Sequence, residues 1–195
     1  DGDQLLSFDE TPKILNSIKL TGTTNNNLSI GFINAITDRS YALIRENNDN
    51  IRKELITPLT NFNVLSLSQK IINDYSSIGF INGSLNRESS FEDANNYAFM
   101  ANIFDNKRAF SFKGYYYKTY SPRLSQRSGK RKIITIEELK GNFRYWLHIH
   151  AADRYYNPNE IGFFNSKNFI QYGSRVSYQI LNKNKYFRNF QTMLY

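Results

Sequence analysis

The chain contains no cysteine. That excludes a disulfide scaffold and a thiolate metal site, and it leaves the compartment open. No apolar run approaches the ~18 residues that a membrane-crossing helix needs. There is no Gly-rich phosphate loop and no G-x-S-x-G elbow. Histidine occurs only at His148 and His150, both on one short segment, so no Ser–His–Asp order is persuasive. Helical signal is scarce too: only "ENNDNIRKELI" (46–56) reads as a helix, and it lies in a connection.

What is present is basic and aromatic. The net charge of +8 suits nucleic acid, anionic lipid headgroups or acidic glycans, and equally plain solubility. The 14 Tyr and 15 Phe fall largely in strand-like runs, which points to β structure. The chain starts at Asp1 without Met and ends at Tyr195 inside the aromatic run "NFQTMLY". The expectation is one domain over 1–195 that is a piece of a longer protein.

The dominant period is two. In "GNFRYWLHIHAA", Phe143, Tyr145, Leu147 and Ile149 alternate with Arg144, Trp146, His148 and His150. In "FIQYGSRVSYQI", Ile170, Tyr172, Val176 and Tyr178 alternate with Gln171, Gly173, Arg175, Ser177 and Gln179. Successive strand side chains point to opposite faces, so each segment has one apolar and one polar face. The same test predicts about ten strands, near 13–22, 28–37, 59–71, 76–86, 97–105, 108–120, 131–139, 142–152, 168–181 and 185–195.

Between them, short turns such as "TTNNN", "NDYS" and "NKN" alternate with long connections near 38–58, 87–96, 121–130 and 153–167. In an up-and-down meander this puts every long loop at one end. Outer-membrane barrels have that asymmetry, with tilted strands of about 9–11 residues. Soluble sandwiches have shorter strands and nothing that sorts their loops. The expected fold class is therefore all-β: an antiparallel up-and-down transmembrane β-barrel, about ten strands here, within a larger barrel. The hexapeptide "SIGFIN" at 29–34 and again at 77–82 fits, as strands two and four of one meander. Ile30 and Ile78, and Phe32 and Phe80, would be equivalent outward positions.

Four stretches in order carry a resemblance: "SIKLTGTTNNNLSIGFINAITDRSYA", "ITPLTNFNVLSLSQKI", "ELKGNFRYWLHIHAADRYYNPNEIGFF" and "NFIQYGSRVSYQI". Together they resemble the C-terminal barrel region of a Gram-negative outer-membrane family whose function is uncharacterised. In that family a domain like the family-9 carbohydrate-binding modules precedes the barrel. That domain is not in this sequence. The resemblance implies a bacterial outer-membrane location and an association with glycans that no residue here carries.

Several groups invite chemistry. His148 and His150 at i and i+2 share a strand face, a spacing that can hold a metal, but no further ligand is positioned by sequence. Glu137 and Glu138 are adjacent and so point apart, unlike a glycosidase pair. Asp153 and Glu160, around "YYNPNE", suit turn fixing or loose Ca²⁺ binding. "QRSGKRK" (126–132) reads as a basic cluster in a long connection, suited to lipopolysaccharide phosphates or to nucleic acid. "GYYYKTY" reads as aromatic girdle.

The leading expectation is a non-enzymatic barrel of the transport, surface-receptor or scaffold class, with no cofactor and no metal. Lipid-facing candidates are Leu28, Ile30, Phe32, Ile78, Phe80, Phe143, Tyr145, Leu147, Ile149, Ile170, Tyr172, Val176 and Tyr178. Lumen-facing candidates are Arg144, His148, His150, Gln171, Arg175 and Gln179. Expected partners are outer-membrane lipid and lipopolysaccharide, other outer-membrane proteins or lipoproteins, and glycans, but not nucleic acid. The alternative is a soluble carbohydrate-binding β-sandwich or glycan-active enzyme, in which Tyr155 or Tyr156 would stack on sugar. A third class, a basic nucleic-acid binder, would show steep salt dependence.

Overall fold

A computed structural model describes residues 3–8, 11–47, 49–88, 91–120, 128–162, 164–180, 185–186 and 188–195. Among these there is no helix, and two antiparallel sheets hold all the regular structure. The strands are β1 (Gln4–Phe8), β2 (Ile14–Thr23), β3 (Leu28–Thr37), β4 (Ser40–Arg45), β5 (Ile51–Thr57), β6 (Thr60–Lys70), β7 (Ser77–Arg87), β8 (Ala94–Phe104), β9 (Phe110–Tyr120), β10 (Ser128–Glu138), β11 (Phe143–Ala152), β12 (Phe169–Ile180) and β13 (Phe190–Leu194).

Ten of them form one meander in the order β13-β12-β11-β10-β9-β8-β7-β6-β3-β2. These are the ten strands that the alternation predicts. The sheet is open, with β2 and β13 as its two edges. Tight turns join the strands at one end. Asn27 at φ 59 takes the left-handed conformation that Asn tolerates, and Thr24 Oγ1 accepts from the Leu28 N–H at 3.2 Å. Asp105 closes the β8–β9 turn by accepting from the backbone N–H groups of Ala109 and Phe110, at 2.5 and 2.7 Å. The two longest described connections, β3 to β6 and β11 to β12, sit at the other end.

The strands are staggered in a regular way. One row of paired residues runs Ile30–Leu67–Phe80–Phe99–Tyr116–Lys132–Ala151–Ile170. Ile30 lies two residues from Leu28, the turn end of β3, and Ile170 lies ten from Ile180, the turn end of β12. The pairing therefore slips eight residues over seven strand steps. With ~3.4 Å per residue and ~4.8 Å between strands, that slip tilts the strands by roughly 40° to the normal of the line of turns. The stagger also refines the "SIGFIN" correspondence. Both copies face the same way, but Ile30 shares its row with Phe80, so they are offset by one pleat repeat.

The stretch predicted as helix is a hairpin instead. Glu46 N–H donates to the Asn50 carbonyl at 2.8 Å, Asp49 turns the chain at φ 62, and β5 returns along β4. Its charges are paired: Arg52 reaches Asp3 just before β1 and also Glu54 two residues along its own strand, and Lys53 sits 3.9 Å from the Tyr41 ring on β4. With β1 added, β1-β4-β5 makes a small sheet at the long-loop end. It meets the large sheet only marginally.

Among the described residues only Ala42, Leu85, Ala94, Ala152 and Tyr156 are buried apolar side chains. A chain of this length with an ordinary core would bury many more. All but Ala42 lie together where the β11–β12 connection rests on the large sheet.

Candidate functional face and the segment across it

Directly paired residues in an antiparallel sheet share a face. The register therefore assigns every residue of the ten strands to one of two faces. The thirteen apolar candidates all fall on one face; Arg144, His148, His150, Gln171, Arg175 and Gln179 all fall on the other. Along β11 the burial is the reverse of a water-soluble sheet. On β11, Phe143, Leu147 and Ile149 are exposed, while Arg144, Trp146, His148 and His150 between them are half-buried. On β12 the apolar face is exposed from Ile170 to Tyr178, with Tyr172 at 73 %, while the polar face is buried toward the turn end, at Ser177 and Gln179, and exposed at Gln171 and Arg175.

The exposed apolar band continues through Leu20, Ile78, Phe99, Phe112, Ile134 and Ile136. About half of each ~150–250 Å² aromatic side chain is open, and less of each aliphatic one, so the band comes to on the order of 1,000 Å². A typical monomer's largest patch is ~300–600 Å². Toward the long-loop end the band gives way to amides and amines. Asn34 donates to the Asn61 and Asn63 side chains at 2.5 and 2.8 Å, and Lys118 and Lys130 follow on β9 and β10.

The polar face is a connected network. Glu137 accepts from Lys113 and, at 2.9 Å, from Ser111. Thr135 Oγ1 and His148 Nδ1 are 2.9 Å apart, and the His148 ring stacks on Trp146 at 5.0 Å. Arg131 Nε donates to His150 Nε2 at 2.8 Å. With its amide oxygen turned toward the guanidinium, Gln179 accepts from Arg144 at 2.5–3.0 Å. Gly173 is required beside the indole: a Cβ there would stand 2.8 Å from the Trp146 ring.

The β11–β12 connection folds back over this face, strand by strand. Asp153 exchanges backbone and side-chain hydrogen bonds with Lys130 on β10, at 3.0 and 2.9 Å. The Tyr156 backbone presses on Gly129, where a Cβ would come within 2.1 Å. The Asn157 N–H donates to Thr119 Oγ1 on β9 at 3.2 Å, and Asn96 on β8 donates to the Pro158 carbonyl at 3.3 Å. Finally Ile161 packs against Gly83 on β7, and Arg87 at the end of β7 pairs with Glu160 at 2.7 Å.

A family model described as a domain of unknown function (DUF5916) matches residues 1–195. The chain belongs to the DUF5916 family. No curated protein and no solved structure matches it.

Several expectations about this DUF5916 chain change with the geometry. The two histidines do share a face, with rings 6.1 Å apart, and the Arg131 guanidinium donates to His150 Nε2. Among the described residues no three His, Asp or Glu side chains converge. Glu137 and Glu138 do point to opposite faces. Asp153 fixes its turn, accepting from the Tyr155 N–H at 2.9 Å. The "GYYYKTY" run cannot all be girdle: Tyr116 lies on the apolar face, whereas Tyr115 and Tyr117 lie on the polar one, with Tyr115 donating to Asn102 at 2.8 Å.

"QRSGKRK" is only partly a connection. Residues 126 and 127 lie outside the described residues, and Ser128–Lys132 belong to β10. There Arg131 joins the polar face and Lys130 and Lys132 the other, so the charges do not form one patch. Tyr156 is 4 % exposed and cannot stack on a sugar from solution. Sequence reasoning missed Arg87, Gly83 and Gly129. Their role depends on a loop that arrives from another part of the chain.

Proposed function

We propose that this chain forms the wall of an outer-membrane β-barrel, non-enzymatic and of the transport or surface-receptor class. The observation that carries this is the inverted polarity of the large sheet. Left in water, an apolar band on the order of 1,000 Å² would forgo about 25 kcal/mol at ~25 cal/mol/Å². A whole domain is stable by only ~5–15 kcal/mol, so something must cover that face. Hydrocarbon does so along the full band while leaving the networked polar face turned inward.

Three further features support the proposal. The roughly 40° tilt matches the 35–45° of closed barrels. The open edges at β2 and β13 would leave backbone groups unpaired in lipid, which demands closure, either on each other or through further strands. The tight turns after β2, β6, β8 and β10 share one end and the two longest described connections the other, as in outer-membrane barrels. The resemblance to Gram-negative barrels that follow a carbohydrate-binding-like domain agrees with all three.

The direct test is electrophoretic. Protein refolded in detergent should migrate differently with and without boiling, because a closed barrel resists unfolding by SDS. Identical migration, together with solubility in detergent-free buffer, would overturn the assignment.

A further inference from the structure

The loops at the long-loop end differ in what they touch. An external loop that only recognises a partner has no reason to lie on the sheet face below it, where its own backbone polar groups must then be satisfied. The β11–β12 connection does lie there. It crosses from β11 to β7, four strand spacings or about 19 Å along the sheet. Each strand on the way supplies an acceptor, a donor or a glycine that makes room.

The fixed end of this segment is apolar. Tyr156 and Ala152 are buried with it, and the Phe164 ring meets Tyr156 at 5.4 Å and the Arg131 guanidinium at 4.3 Å. The far end is held by Ile161 on Gly83 and by the Arg87–Glu160 pair, whose side chains are 18 % and 30 % exposed. Such a construction has a firm hinge side and a far end whose tie includes one ion pair that a charge change weakens.

Building on the barrel assignment, we infer that residues 153–162 form a strap along the inner wall at the long-loop end, which sets the size of solute that passes and is fastened by Arg87 and Glu160. An eight-stranded barrel is already filled by its side chains. If this barrel closes near ten strands, the strap blocks the passage; if it closes with more, the strap narrows the passage on one flank. Either way the strap is the size-determining element for small hydrophilic solutes, and freeing it enlarges the passage.

The test uses the full protein in planar bilayers and in liposomes swollen with neutral saccharides of graded size. Glu160→Gln and Arg87→Gln should each raise strap-released occupancy by roughly three- to tenfold, as expected for loss of a partly buried pair, and mean conductance should rise with it. The exchanged pair Arg87→Glu with Glu160→Arg should return conductance to the parent level. Replacing 157–162 by a Gly-Ser linker should raise the size limit permanently. Unchanged conductance and size limit in the linker variant, with boiling-dependent migration retained, would overturn the strap and leave the barrel standing. Loss of that migration in the parent itself would overturn both.

Discussion

Leu147→Arg separates a lipid-facing surface from a wet one by a wide margin. Leu147 lies mid-strand on β11, is 48 % exposed, and pairs with Ile136 and Ser174 on either side. If that face meets water, Arg is at least as well solvated as Leu, and the change should stay within about 0.5 kcal/mol. If it meets the hydrocarbon midplane, Arg costs ~2–4 kcal/mol in a barrel wall. At ~1.4 kcal/mol per tenfold, that is roughly a 30- to 1,000-fold loss in folding equilibrium. Gln171→Arg is the matched control: β12, the polar face, exposed, and paired with His150. It should change stability by no more than about 0.5 kcal/mol. Urea titration of both variants in phospholipid vesicles, followed by fluorescence, reads the difference. Equal stabilities for the two variants, or a Leu147→Arg protein that folds without lipid, would refute the reasoning.

Two other outcomes follow from local geometry. Gly173→Ala should push the Trp146 ring off His148 at an overpacking cost of ~1–3 kcal/mol; because Trp146 is the one tryptophan in the sequence, its emission maximum should shift, and an unchanged spectrum would contradict the contact. Asp105 is held below the usual carboxylate range, chiefly by the Phe110 N–H and also by those of Ala109 and Lys107. Its folded pKa is the lower one, so its contribution to the β8–β9 turn is complete above the ordinary Asp pKa and fades as pH falls through the depressed folded value. Protection of the Ala109 and Phe110 amides, taken against the intrinsic exchange rate at each pH, should therefore fall in that acid window in the parent and show no such step in Asp105→Ala.

The large sheet was legible because its signal is local. A residue and its second neighbour share a face whatever else the chain does, and Asn, Asp and Gly announce the turns between strands. The face assignment of Phe143, Tyr145, Leu147 and Ile149 against Arg144, His148 and His150 needed nothing more. The small sheet was not legible. "IRKELIT" carries charges spaced as well for a helix as for a strand, and what decides is pairing with β4 and, beyond it, with β1 far back in the chain. The offset between the two "SIGFIN" copies was hidden for a related reason, because register is a property of two strands together.

The folded-back connection was the least visible part. Glu160 is 73 residues from Arg87, and nothing at Gly83 or Gly129 marks them as docking points for Ile161 and Tyr156. "YYNPNE" looks like an ordinary surface loop by composition. Its burial comes from the room those two glycines leave on other strands, and that becomes visible only when the strands are side by side.

The central claim is that the sheet's oily face meets lipid and its charged face does not. Nitroxide labels placed one at a time from 143 to 151 in the bilayer-reconstituted protein test it most directly. The account predicts an alternation: oxygen accessibility peaking at Phe143, Tyr145, Leu147 and Ile149, and accessibility to a water-soluble nickel chelate peaking at Arg144, His148 and His150. An alternation of opposite phase, or uniform access of the nickel chelate along the strand, would contradict it.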